Sequence, residues 1–212
     1  YPLSAACFLA ASGAAFVGFL ALTLIRIPIP PRSELGIRAG RPLFQIMGQP
    51  RFLAALCAGA VSYGMMNLVM TSTPLAMVAC GFTNFDAAGA IRWHVVAMYL
   101  PSFFAGHLIA RYGREQIALI GLAILVLCGV IALSGVSLMQ FTFAMVALGA
   151  GWNLSYVAAT SIVADSHTSE ERGKVQAANE LSIFSFVATC SFLSGLLFNH
   201  VGWNGINIAL FP

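Results

Sequence analysis

Charge is scarce in this chain: 8% of its 212 residues are charged, against 59% hydrophobic. A soluble domain carries roughly 25% charged residues, so this set could not cover a solvated surface. Paired cysteines are missing too. Cys7, Cys57, Cys80, Cys128 and Cys190 lie singly, without a disulfide framework or C-x-x-C metal spacing, and read as small buried hydrophobes. There is no H-E-x-x-H, no G-x-S-x-G, no Walker loop and no acidic pair inside an apolar segment. His94, His107, His167 and His200 sit near alternate faces and cannot jointly hold one metal. Neither a metal nor another cofactor is therefore expected, and no enzyme chemistry. The net charge of +3 carries no nucleic-acid signal, because the basic residues are distributed by topology.

Long apolar runs fill the chain instead. They occur at about 3–25, 52–79, 93–110, 116–135, 138–164 and 176–198, and a seventh starts near Trp203 and stops at Pro212. The run at 176–198 extends back to about 170 once the capping residues Ser169, Glu170 and Glu171 are included. One bilayer crossing takes about 20 apolar residues. Strand-built barrels would show ten-residue alternating segments rather than unbroken runs. The expected fold is all-α, a polytopic membrane protein with the lipid bilayer as its solvent. Arg26 follows the first apolar segment rather than preceding it, so no signal peptide is recognisable. With Tyr1 in place of Met, and both ends inside apolar segments, the chain reads as a piece of a longer protein.

Nine of the ten Lys and Arg residues fall in three connections: Arg26, Arg32, Arg38, Arg41 and Arg51; Arg111 and Arg114; Arg172 and Lys174. The alternate connections, around 80–92, 135–138 and 199–203, hold only Arg92. Basic loops are retained in the cytoplasm, so each segment crosses once. Residues 27–51 form a central linker, in which Pro28, Pro30, Pro31, Pro42 and Pro50 favour an irregular path. Pro50 is suited to opening the next helix. Residues 1–26 then read as the last helix of a preceding bundle and 52–212 as a second bundle. Gly121, Gly129, Gly149, Gly151 and Gly195 sit within the apolar segments, where small residues let helices approach closely in lipid.

One turn carries a specific pattern. Gly106, Leu108, Arg111, Gly113 and Arg114 match G-x-L-x-D-R-x-G-R at five of its six fixed positions. This resembles the cytoplasmic signature of the major facilitator superfamily of secondary transporters, and the layout is similar to that family's from its sixth helix to the start of its twelfth. The chain departs from the signature at Ala110, where it has Asp, and at Glu115, where it has a basic residue. Asp165 and Arg172, with six residues between them, resemble the acidic-x6-Arg pair of the family's next cytoplasmic loop. Asp165 ends a helix, where the dipole disfavours an anion, so Arg172, Arg111 or Arg114 should pair with it. The resemblance implies a six-helix-bundle fragment whose Gly106, Arg111, Gly113, Arg114, Asp165 and Arg172 form a cytoplasmic gate.

Two polar stripes are candidates for lining a solute cavity. Tyr63, Asn67, Thr71 and Pro74 follow one helical face, as do Gly149, Asn153, Tyr156 and Thr160. Asn153 lies roughly 18 Å from Asp165 along the helix, near the midplane, and Trp152 offers an aromatic surface to a flat or hydrophobic solute. Tyr63, Asn67, Thr71, Trp152, Asn153 and Tyr156 are the expected binding set. His94, beside Arg92 and Trp93 at the outer end of the third segment, reads as a hydrated interfacial residue, with proton coupling as its alternative role. Glu180, near Gln176 and Asn179, is the deepest acid and a second proton-linked candidate. Pro101 is expected to kink its helix.

The resulting expectation is a carrier of a small organic solute in a bacterial inner membrane, working by alternating access and, by resemblance, coupled to protons. Its other half would be an N-terminal bundle of the same chain. The alternatives are a non-transporting sensor or scaffold of the same fold, and a membrane-embedded enzyme.

Overall fold

The computed structural model describes residues 2–25 and 40–211. Arg26, Arg32, Arg38 and the prolines Pro28, Pro30 and Pro31, on which most of the linker reading rests, lie outside the described residues.

Every regular element among the described residues is helical: α1 (Pro2–Leu24), α2 (Leu43–Met47), α3 (Pro50–Ala79), α4 (Asn84–Tyr99), α5 (Ser102–Tyr112), α6 (Arg114–Leu133), α7 (Leu138–Asp165) and α8 (Arg172–Ile208). Lipid explains this uniformity, because a backbone that cannot reach water must bond within its own segment. Helices α3, α6, α7 and α8 are each long and apolar enough to span a membrane, and α4 with α5, bent by 43°, are so when taken together. The outward faces are apolar as well, Phe103, Phe192 and Leu119 among them. The chain is a multi-pass membrane protein.

Contacts divide it into two units, Tyr1–Arg38 and Ala39–Pro212. The first contains α1, whose Phe8, Phe16, Phe19 and Leu22 are all exposed. A helix apolar all round suits lipid.

In the second unit, local chemistry sets most helix ends. Pro50 stands in the first turn of α3, where its missing N–H costs nothing. Helix α4 opens with a capping box between Thr83 and Asp86, so it begins well before the expected position 93 and takes Arg92 into the helix. Its first turns are polar enough to escape an apolar-run reading. Ser137 and Gln140 form a second capping box at α7. Pro101 separates α4 from α5; it has no N–H to bond one turn back, and the bend falls there. Gly202 (φ 65°, ψ −169°) interrupts α8. Beyond it Trp203 donates from Nε1 to the Ala132 carbonyl at 3.1 Å, and Leu210 packs beside Leu125 and Cys128. The last leg thus runs back along α6.

Helix α7 is the centre of the unit and packs on α3, α4 and α6. Gly121 and Gly151 make the α6–α7 crossing possible: a Cβ on Gly121 would lie 2.3 Å from the Ser155 nitrogen. Dispersion between closely approaching backbones, rather than hydrophobic drive, holds such crossings together in lipid. Gly129 meets the returning leg in the same way, whereas Gly195 faces open space. Cys57, Cys80, Cys128 and Cys190 are free thiols.

Candidate solute site and charged end

Three stripes converge on one half-buried face. Helix α3 contributes Tyr63 and, one turn on, Asn67; α7 contributes Trp152 and Tyr156; α8 contributes Glu180, Phe184 and Ser191. Trp152 and Tyr156, four residues apart, stack at 5.4 Å with planes 11° apart. Tyr63 meets them edge-on, at 5.2 Å and 5.3 Å between ring centres, and meets Phe184 at 5.7 Å. Edge-to-face and offset-stacked contacts are the favourable arrangements for aromatic quadrupoles, so the four rings form a fixed wall. Its polar rim lies on both sides. The Ser191 hydroxyl donates to Asn67 Oδ1, and the Asn67 amide N–H groups have no partner among the described residues. Glu180 lies about 12 Å along α8 from Arg172, one helical turn before Phe184 and on the same face. The indole N–H of Trp152 is buried and has no partner among the described residues.

The other expected lining residues are placed elsewhere. Asn153 is 3% exposed and donates from Nδ2 to the Ser102 hydroxyl at 2.7 Å. It faces the α4–α5 bend and not the aromatic wall, because one residue along a helix turns the side chain by about 100°. The stripe Gly149–Asn153–Tyr156–Thr160 therefore divides between two faces of α7. Thr71 bonds back to the Asn67 carbonyl at 2.8 Å, and Thr160 to that of Tyr156 at 3.0 Å. His94 overturns its expected hydrated, interfacial position. Because α4 starts at Asn84, His94 is carried inward and is 0% exposed. Its Nδ1 donates to the Met145 carbonyl at 3.0 Å, beside Gly149, where a Cβ would meet the His94 backbone oxygen at 2.5 Å.

The basic loops meet at one end of the bundle. Arg114 pairs with Asp165 and donates from Nε to Ser161, one turn earlier on α7, at 2.8 Å. Of the three cations weighed as partners for Asp165, Arg114 occupies the position. Arg172 opens α8 and makes no ion pair among the described residues. Arg111 is exposed and lies over the Tyr112 ring, 5.3 Å from its centre. Gly113 (φ 89°, ψ 155°) joins α5 to α6 in a conformation open essentially to glycine alone. No atom lies within 4 Å of a Cβ built on Gly106, so it locks no helix pair among the described residues.

Two pairs at this end escaped the reading of the residues. Glu115 meets Arg51 at 2.6 Å, so the departure from the signature has a local partner. Glu171, read only as a helix cap, is buried and salt-bridged to Arg41 at 2.8 Å. It also accepts the Arg41 backbone N–H at 2.7 Å and that of Thr168 at 3.0 Å. These donors hold its carboxyl well below the usual carboxylate range, the Arg41 side chain contributing most. Gly40 (φ 75°) lets the chain pass, since a Cβ there would lie 2.4 Å from the Glu171 side chain. A partner so remote in sequence leaves no local signal.

The family model of the major facilitator superfamily matches residues 90–212. A riboflavin transporter, RfnT, of Brucella anthropi is 43% identical over 93% of this chain and 51% of its own length. Two uncharacterised MFS-type transporters of Bacillus subtilis are also similar. YdeG is 34% identical over 62% of this chain and 31% of its own length; YddS is 31% identical over 68% and 34%. The chain thus spans about half the length of RfnT and a smaller share of the other two. No solved structure matches. All three relatives bear the names of transporters, and the enzyme reading finds no counterpart among them. With four membrane-length helices and a bent helix pair among the described residues, a basic turn between α5 and α6, and more than half its length matched, the chain belongs to the major facilitator superfamily.

Proposed function

We propose that this chain is the C-terminal part of a secondary transporter that moves a small, flat organic solute by alternating access. Repeat bundles rocking about a central site are the usual design of such carriers. The N-terminal half of the same protein would face the aromatic wall, and the basic end would lie in the cytoplasm of a bacterial inner membrane. The observation that carries the reading is the wall of Tyr63, Trp152, Tyr156 and Phe184 on three helices. Rings held at fixed angles offer a planar solute stacking area at little entropic cost. Similarity to RfnT makes riboflavin the first solute to test. In this reading the Arg114–Asp165 pair closes the cytoplasmic side in the outward-open state.

The test is riboflavin uptake by riboflavin-requiring cells expressing the full-length protein. Uptake should saturate and fall by up to about tenfold when Tyr63 or Trp152 becomes Ala, the loss of roughly one stacking contact. Absent uptake in the unaltered protein sinks the riboflavin reading. Asp165→Ala should raise cytoplasmic accessibility to thiol reagents; unchanged labelling and unchanged uptake count against the gate. Proton coupling is part of the proposal, and uptake that ignores a collapsed proton gradient eliminates it. Ala110, where the signature has Asp, is a slight argument for a non-transporting sensor or scaffold and the polar stripes are one against it; that reading requires solute binding without uptake.

A further inference from the structure

Among the described residues the aromatic wall has one acidic residue on its rim, Glu180, and an acid at that place restricts what can bind. Along α8, Glu180, Phe184 and Ser191 share the stripe that faces Tyr63 and Tyr156. Among the described residues the other acids sit at helix ends or in loops: Asp86 in the first turn of α4, Glu115 in that of α6, Asp165 at the end of α7, and Glu170 and Glu171 before α8. Arg41, Arg51 and Arg114 are engaged with Glu171, Glu115 and Asp165 at the basic end. Arg92 lies beside Asp86, Trp93 and Leu138 at the opposite end. Among the described residues, none of the rings of the wall or the side chains bonded to its rim is a cation. Among the described residues the Asn179 amide donates to Glu180, at 3.5 Å. At the other rim, Ser191 occupies Asn67 Oδ1, and the Asn67 N–H groups make no bond among the described residues.

Resting on the reading of this face as the solute site, we infer that Glu180 is a charge filter. The wall accepts neutral or cationic planar ring systems and rejects those bearing an anionic group. The ring lies against Tyr63, Trp152 and Tyr156, its carbonyl edge takes the Asn67 N–H groups, and hydroxyl or N–H donors face the Glu180 carboxylate. A flavin fits this arrangement, and its 5′-phosphate does not. Two like charges about 6 Å apart at an effective dielectric near 20 disfavour binding by about a hundredfold.

The experiment uses the full-length protein in nanodiscs at about pH 7.5. Tryptophan fluorescence is titrated with three planar probes of similar size: proflavine (a cation), lumiflavin (neutral) and resorufin (an anion). Proflavine and lumiflavin should saturate, with resorufin weaker than lumiflavin by about a hundredfold. Glu180→Gln, which keeps the shape of the side chain, should bring resorufin within about threefold of lumiflavin; Glu180→Asp should keep the discrimination. An unchanged gap in Glu180→Gln overturns the filter, as does equal binding of all three by the unaltered protein, or saturable binding of none. Failed riboflavin uptake with the charge order intact would instead overturn the riboflavin assignment and leave the filter standing.

Discussion

Arg41 and Glu171, 130 residues apart, meet through a forked contact in which Arg41 Nη2 reaches Glu171 Oε2 at 2.8 Å and Nε reaches Oε1 at 3.0 Å. The Glu171 side chain is 2% exposed and that of Arg41 42%. Removing the arginine leaves a carboxylate sealed from water with only backbone donors, the more damaging way to break such a pair. Arg41→Ala should therefore lower the Tm by several degrees, and by more than Glu171→Gln. The pair also sets an acid response. Because the folded-state pKa of Glu171 is depressed, its contribution is complete above the unfolded value of about 4.3 and is lost as pH falls toward the folded value. Thermal unfolding followed from about pH 6 to 3 should show a steeper loss for the unaltered protein than for Glu171→Gln. Parallel curves would refute the assignment.

Arg51 and Glu115 form a different kind of pair, both about half exposed. Exposed pairs contribute about 0–1 kcal/mol and are screened by salt. Glu115→Arg restores a basic residue where the family signature has one, but sets two cations against each other. It should cost little stability, by an amount that shrinks as salt is raised. The double reversal Arg51→Glu with Glu115→Arg should recover the loss. A double mutant no more stable than the sum of its singles would show that the two residues do not interact in solution.

Gly106 and Gly113 belong to one motif but make opposite demands. Gly113 holds φ 89° and ψ 155°, a region that costs a residue with a Cβ about 1–3 kcal/mol. Gly106 is helical, and a Cβ there meets nothing within 4 Å. Gly113→Ala should lower thermal stability clearly, whereas Gly106→Ala should be silent or slightly stabilising in unfolding assays. Equal effects would mean that the backbone conformation of the turn is not as described.

Fold class was readable in the sequence because lipid imposes one rule everywhere: a run of about 20 apolar residues must be a helix. Pro101 was legible as a bend for an equally local reason, the absent N–H. The start of α4 was not, since a capping box between two polar residues, Thr83 and Asp86, makes helix out of a stretch with no apolar run. His94 was misplaced with it. Spacing identified Tyr63 and Tyr156 as members of helical stripes, but it could not decide between the two adjacent faces of α7, and Asn153 lies on the one that meets Ser102. Phe184 passed for one more apolar residue. Its position opposite Tyr63 depends on how α8 crosses α3, which is a property of the pair of helices.

The Ser102–Asn153 hydrogen bond, at 2.7 Å, ties α7 to the first residue of α5 beyond the bend at Pro101. Asn153 Oδ1 is buried and has no partner among the described residues, so this asparagine already carries one unmet group. Removing the serine hydroxyl leaves the amide N–H unmet as well. Interhelical hydrogen bonds in membranes contribute about 0.6 kcal/mol on average and about 1.7 at most, so Ser102→Ala should cost no more than that. Asn153→Leu should do less harm than Ser102→Ala, because it removes both polar atoms together and fills a similar volume. Chemical unfolding in mixed micelles would compare the two. If Asn153→Leu is the more destabilising, then Oδ1 has a partner that the helices alone do not supply, such as a buried water or a group from the opposing bundle, and Asn153 returns to the candidates for the transport path.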